Sequence, residues 1–191
     1  MRHEWKEKKE GIVRLPEEDP NFFELYVGWL YYGKIATKEA EASVPKDNAA
    51  RKKLADAEWD NLKSLFRLSD VLQDSNFRDA LIDTTVEKMI RYSSYFPLFH
   101  RAIYPYTLED SPCRNLTIYM ALWEWRPETV ESFIDATVYG DSMEFMTDLL
   151  KAYSKFTSKG LKGPKPWLTG LCQYHEHTKI GKPCYKKKRG L

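Results

Sequence analysis

Residues Leu65–Tyr95 read LFRLSDVLQDSNFRDALIDTTVEKMIRYSSY, and their periodicity decides the fold class. Before QDSN, Leu54, Leu62, Leu65, Phe66, Leu68 and Leu72 recur at three- and four-residue steps between charged residues. After it, Phe77, Leu81, Ile82, Val86, Met89 and Ile90 do the same. Steps of three and four line up one face of a helix, so the stretch predicts two amphipathic helices meeting at QDSN. The second starts near Ser75 and stops around RYSSY.

The same period continues on both sides. Upstream, Asp19 and Pro20 form an N-cap and first-residue pair. Phe22, Tyr26, Trp29 and Leu30 then share a face, with Phe23 and Val27 beside them, and Gly33 is placed to stop the helix. Ahead of that helix, Ile12, Val13 and Leu15 form a short β-prone run ended by Pro16. Residues 34–48 read as a polar loop. Downstream, FPLFHRAIY reads as a short helical turn begun by Pro97, and Ser111-Pro112 opens a helix lined by Leu116, Tyr119, Met120 and Trp123. Helices near 127–138 and 141–156 complete the body. From Thr157, SKGLKGPKPWLTG reads as a Gly/Pro linker. The expected fold is mainly α: one short strand followed by helices, with a helical extension over 93–156 and a tail over 157–191.

Composition narrows the function classes. The chain has 191 residues, 42% hydrophobic and 14% aromatic, which suits a folded core. No segment reaches the ~20 apolar residues of a membrane span, and the charged start MRHEWKEKKE leads into no apolar signal region. Three cysteines do not make a disulfide framework, so a reducing, intracellular compartment, nuclear or cytoplasmic, is expected. The net charge of +2 conceals a split: residues 151–191 hold eleven Lys or Arg against Glu176 alone, a net of +10, leaving −8 for residues 1–150. A basic tail favours acidic partners, whether nucleic acid, an acidic protein face or the chain's own body.

Catalytic signatures are missing from the sequence. It has no Gly-rich phosphate loop, nucleophile elbow or HExxH, and His100 reads as a packed or surface histidine. A non-enzyme is expected. The one cluster with chemical content is LCQYHEHTKIGKPC, where Cys172, His175, His177 and Cys184 give C-x2-H-x-H-x6-C. Two thiolates and two neutral imidazoles are ligand types that zinc takes, and the thiolates balance its charge. The spacing is not that of a standard finger. A structural zinc contributes an apparent ~10–16 kcal/mol, whereas ordering residues 172–184 costs roughly 1–2 kcal/mol each. Docking of Trp167, Leu168, Leu171 or Tyr174 on the body is therefore required. A zinc site, a docked segment without metal and a disordered tail all remain open, and a Cys172–Cys184 disulfide is disfavoured by the compartment. The run Lys186-Lys187-Lys188-Arg189 has the form of a minimal nuclear signal or a nucleic-acid contact, or of a solvated basic end.

Taken together, the strand, the acidic-proline turn, Trp29-Leu30-Tyr31-Tyr32-Gly33-Lys34-Ile35 and Leu68-Ser69-Asp70-Val71-Leu72-Gln73-Asp74 resemble the second half of a BTB/POZ domain, closest to the large fungal set. The resemblance covers roughly residues 4–92, and YHEH is similar to the C-terminal extension of fungal members. It implies a protein-interaction module, often homodimeric, and in some families a cullin ubiquitin-ligase adaptor. The adaptor motif, a hydrophobic residue and a glutamate two positions on, falls on Trp5 and Glu7. The family normally opens with a β-hairpin and two helices that precede anything seen here. The chain is then either an incomplete copy of the domain or one adapted to pair with something else. The alternative is a nuclear, nucleic-acid- or chromatin-associated protein using the Cys/His cluster and the basic tail.

Overall fold

A computed structural model describes residues 12, 15, 17–37, 44–96, 98–134, 143–157, 160 and 163–190. The described residues are mainly helical and contain no strand. The expected strand falls on Ile12, Val13 and Leu15, of which Val13 lies outside the described residues, as does Pro16. Pro97 and the end of the helix expected near 127–138 lie outside them too.

The paired helices of the opening stretch are α2 (Asn48–Val71) and α3 (Ser75–Tyr92). Their junction is fixed locally. The Asp74 carboxylate accepts from the Asn76 and Phe77 amides at 3.0 Å each, satisfying donors that the first turn of α3 leaves open. Arg78 reaches back to Asp70 at 3.1 Å and to the Ser69 hydroxyl at 3.3 Å, so the turn is tied from both sides. Leu62, Leu65, Phe66 and Leu68 of α2 and Phe77, Leu81, Ile82 and Val86 of α3 are buried against one another. Ile90, expected in the same stripe, lies outside it and is exposed. Met89 and Tyr92 on either side of it are buried, so Ile90 alone falls beyond the edge of the covered stripe.

α1 (Pro20–Tyr32) begins and ends as its sequence dictates: Asp19 accepts from the Asn21 amide at 2.9 Å, and Gly33 takes a left-handed φ of 71°. Trp29 is buried and Phe22, Leu25 and Tyr26 are partly covered, whereas Leu30 and Phe23 face out. Phe22, Tyr26 and Trp29 thus face inward as expected, and Leu25 takes the place expected for Leu30. It seats on the junction through Tyr26, which packs edge-on to Phe77 at 4.9 Å and donates to Asp74 at 3.0 Å.

The rest of the chain forms a second layer. α4 (Phe99–Ile103) packs on α2, and α5 (Pro112–Glu124) lies between α4 and α7 (Met143–Thr157), with α6 (Pro127–Ile134) preceding α7. His100 is a packed histidine, stacked on Phe145 at 4.3 Å. The segment expected to be a linker inserts Trp167 into the body, where it meets Trp123 at 6.4 Å. Of the four residues that had to dock, Trp167 and Tyr174 are buried, Leu171 is partly covered and Leu168 is exposed. Two short helices, α8 (Glu176–Ile180) and α9 (Tyr185–Arg189), then lie against α3, and α8 also touches α5. None of these helices is long and apolar enough to cross a membrane.

Candidate metal centre

The four side chains of the C-x2-H-x-H-x6-C pattern meet. One ligand atom from each of Cys172, His175, His177 and Cys184 lies within 4.8 Å of all the others. The local chain explains how. Cys172 opens a single 3-10 turn, and the His175 amide closes it onto the Cys172 carbonyl at 3.1 Å. His175 then caps α8, placing His177 within its first turn. Gly181, with φ 65°, stops α8 in the left-handed region, and the chain turns back to deliver Cys184 at the start of α9.

The distances suit a tetrahedral ion. The Cys172 and Cys184 sulfurs are 4.0 Å apart. Two sulfurs bound at about 2.3 Å at tetrahedral angles stand roughly 3.8 Å apart. Cys172 is exposed and the other three residues are buried, so the ion would sit just beneath the surface.

The two imidazoles are each held at one nitrogen and open at the other. His175 Nε2 is 3.1 Å from Asp83 Oδ1, and its buried Nδ1 has no hydrogen-bond partner. His177 Nδ1 is 2.9 Å from Asp79 Oδ2, which leaves Nε2 for a ligand bond. A carboxylate accepting one ring N–H fixes the tautomer and presents the opposite lone pair, the usual arrangement behind a metal-bound histidine. An orphaned nitrogen in the interior is costly unless something accepts its lone pair. A cation among two thiolates does so.

Both carboxylates come from α3, four residues apart and therefore on one face. Asp79 is buried and also receives the Glu176 and His177 amides at 2.6 and 3.3 Å, so it holds the N-terminus of α8 as well as the ring. Asp83 receives the Tyr185 hydroxyl at 2.7 Å and the Lys186 ammonium at 2.8 Å. Burial works to raise the Asp83 carboxyl, but the hydrogen bonds it accepts from His175, Lys186 and Tyr185 outweigh it and keep it below its ordinary value. Burial and the same carboxylate push the Tyr185 phenol up, so it remains a donor. Ser111, the helix-cap residue of α5, spends its hydroxyl on Glu176 and Cys113 rather than on its own helix, which ties α8 to α5.

The chain matches no protein-family model, no curated protein and no solved structure. The assignment of the centre therefore stands on its own geometry. The structure brings together all four ligand candidates read from the sequence. It divides the basic run: Lys186 is paired with Asp83, and Arg189 lies over Trp29 at 4.6 Å while donating to the Leu30 carbonyl at 3.0 Å. Lys187 and Lys188 are exposed. Trp5 and Glu7 lie outside the described residues. Asp79 and Asp83 were missed by sequence reasoning; the available signal was two carboxylates at a four-residue step within the apolar stripe of α3.

These carboxylates make a direct prediction. Asp83→Asn is expected to weaken zinc binding about 10–100-fold while leaving all four ligands in place. Competition with a chromophoric chelator measures this, and an unchanged affinity would remove Asp83 from the role.

Proposed function

We propose that this chain is a non-catalytic protein-interaction module of BTB/POZ type, in which a structural zinc ion holds the C-terminal segment on the helical body. The zinc reading rests on the four converging ligands and on the Asp-backed histidines. Four protein ligands leave no open position for substrate or activated water, which favours a structural ion over a catalytic one.

The observation that carries the interaction reading is the outer face of α1. Phe23, Leu30, Tyr31 and Tyr32 are 40%, 44%, 80% and 80% exposed. Beside them runs an open groove of about 760 Å³, lined by Phe22, Leu25, Gly28, Tyr32 and Asn61 among others. Large aromatic side chains left in water at one end of a helix are typical anchors for a protein partner. The BTB/POZ resemblance spans this same helix and the α2–α3 pair behind it. A second copy is the first partner to test, since the resemblance implies self-association.

Light scattering on the purified chain should therefore give a mass above 22.5 kDa, and the double substitution Tyr31→Asp, Tyr32→Asp should return it to the monomer value. A wild-type chain that stays monomeric at high concentration would defeat self-association. The competing nuclear, nucleic-acid-binding reading draws less support, because Lys186 and Arg189 are engaged with Asp83, Trp29 and the Leu30 carbonyl.

A further inference from the structure

From the cysteine pair we infer that the metal centre is a peroxide-sensitive site, at which oxidation of Cys172 and Cys184 to a disulfide expels the zinc ion. This rests on the zinc reading above and adds a reaction to it. Cys172 is exposed, whereas Cys184, His175 and His177 are buried, so a small oxidant in solvent meets one sulfur of the four ligands first. The partner sulfur is 4.0 Å away. A disulfide needs about 2.05 Å, so the two must close by roughly 2 Å. The chain between them contains Gly181, whose surroundings are open within 4 Å, leaving room for the loop to adjust. The third cysteine, Cys113, is fully buried and hydrogen-bonded to Ser111, which shields it from the same oxidant.

The chemistry balances with a hydroperoxide as oxidant. The Cys172 thiolate attacks one peroxide oxygen, the O–O bond breaks, and the leaving hydroxide takes a proton to become water. Cys172 is now a sulfenic acid. The Cys184 thiolate attacks its sulfur, the S–S bond forms, the S–O bond breaks, and the second hydroxide leaves and takes a proton as well. Two electrons pass from the sulfur pair to the peroxide and two protons are consumed. Zinc is left with two imidazoles, and a two-ligand site does not retain it. His175 and His177 keep their bonds to Asp83 and Asp79, so a thiol reductant regenerates a site already arranged for metal.

The test uses the full chain loaded with zinc and treated with a small molar excess of hydrogen peroxide. The expected result is release of one zinc per chain together with loss of two of the three free thiols. Peptide mapping should show a Cys172–Cys184 link with a mass loss of about 2 Da, and dithiothreitol with zinc should reverse it. Dimedone present during the reaction should label Cys172 and not Cys184. A chain that takes up no zinc before oxidation overturns the zinc reading itself. A zinc-loaded chain that resists peroxide, links to a second chain, or carries Cys172 on to sulfinic acid overturns the redox inference and leaves the structural site standing.

Discussion

Cys184→Ser is expected to abolish stoichiometric zinc and to release the segment from Cys172 onward from the body. Cys184 is buried at the start of α9, and its sulfur closes the ligand set opposite Cys172. A serine hydroxyl stays protonated at neutral pH and is a poor zinc ligand, so three ligands remain, of which only Cys172 is a thiolate. The cost is large because metal and fold are linked: a structural zinc contributes an apparent ~10–16 kcal/mol, a sum comparable to the entropy of ordering the loop it closes. Without it, α8 and α9 are held only by the burial of Tyr174 and Tyr185, the Asp79 and Asp83 bonds and peripheral ties such as Ser111–Glu176 and Arg189–Leu30 among the described residues. Lys179 lies in this loop and is followed by Ile180, which makes it a tryptic site, whereas Lys182 precedes Pro183 and is not cut. Cleavage after Lys179 should accelerate at least about a hundredfold, since each 1.4 kcal/mol lost from local opening raises the open population tenfold. Cys113→Ala, which removes the cysteine outside the cluster, should keep both the zinc and the protection. A wild-type chain purified without metal and indifferent to chelators would end the account.

The helices were legible because their determinants are local. Asp19, Pro20 and Gly33 bound α1 where the sequence places them, and the α2–α3 junction sits at QDSN because Asp74 caps the helix that follows it. The ligand set was legible for the same reason, since all four residues fall within the thirteen positions 172–184. What was not legible is tertiary. Asp79 lies 98 residues before the histidine it orients, and Asp83 lies 92 before its own, so no local pattern pairs them. Leu30 and Ile90 were placed on buried faces by their apolar character, yet a helical period does not report how wide the covered stripe is. Ser111 carries the signature of a helix cap, but the nearby Glu176 carboxylate takes its hydroxyl. The basic run looked like one feature because its charges are contiguous. On a helix, consecutive residues point 100° apart, so α9 turns Lys186 and Arg189 toward the body and leaves Lys187 and Lys188 in water.

Lys88→Ala should be the most damaging single substitution on the other side of the molecule. Lys88 Nζ lies 2.6 Å from Glu58 Oε1, with side-chain exposures of 5% and 0%. Thr37 completes a closed trio: its hydroxyl lies 3.0 Å from the ammonium and 2.7 Å from the same carboxylate oxygen. Deleting the lysine leaves a carboxylate in the interior with the Thr37 hydroxyl as its one remaining partner among the described residues. Breaking a buried pair from one side typically costs ~3–5 kcal/mol, and replacing both partners by apolar side chains of similar volume is close to neutral. The expected drop in melting temperature is roughly 6–20 °C, using about 2–4 °C per kcal/mol for a chain of this size. The double variant Glu58→Met, Lys88→Met should recover most of it. Urea unfolding of the two single variants and the double measures the coupling directly, and additive losses would show that the pair acts as two independent residues. The outcome bears on function as well as stability. Thr37 belongs to the segment that follows α1, so the trio anchors that helix to α2 and α3. Loss of Lys88 should speed amide exchange in α1, and with it loosen the aromatic face offered by Tyr31 and Tyr32, before the α2–α3 pair itself opens.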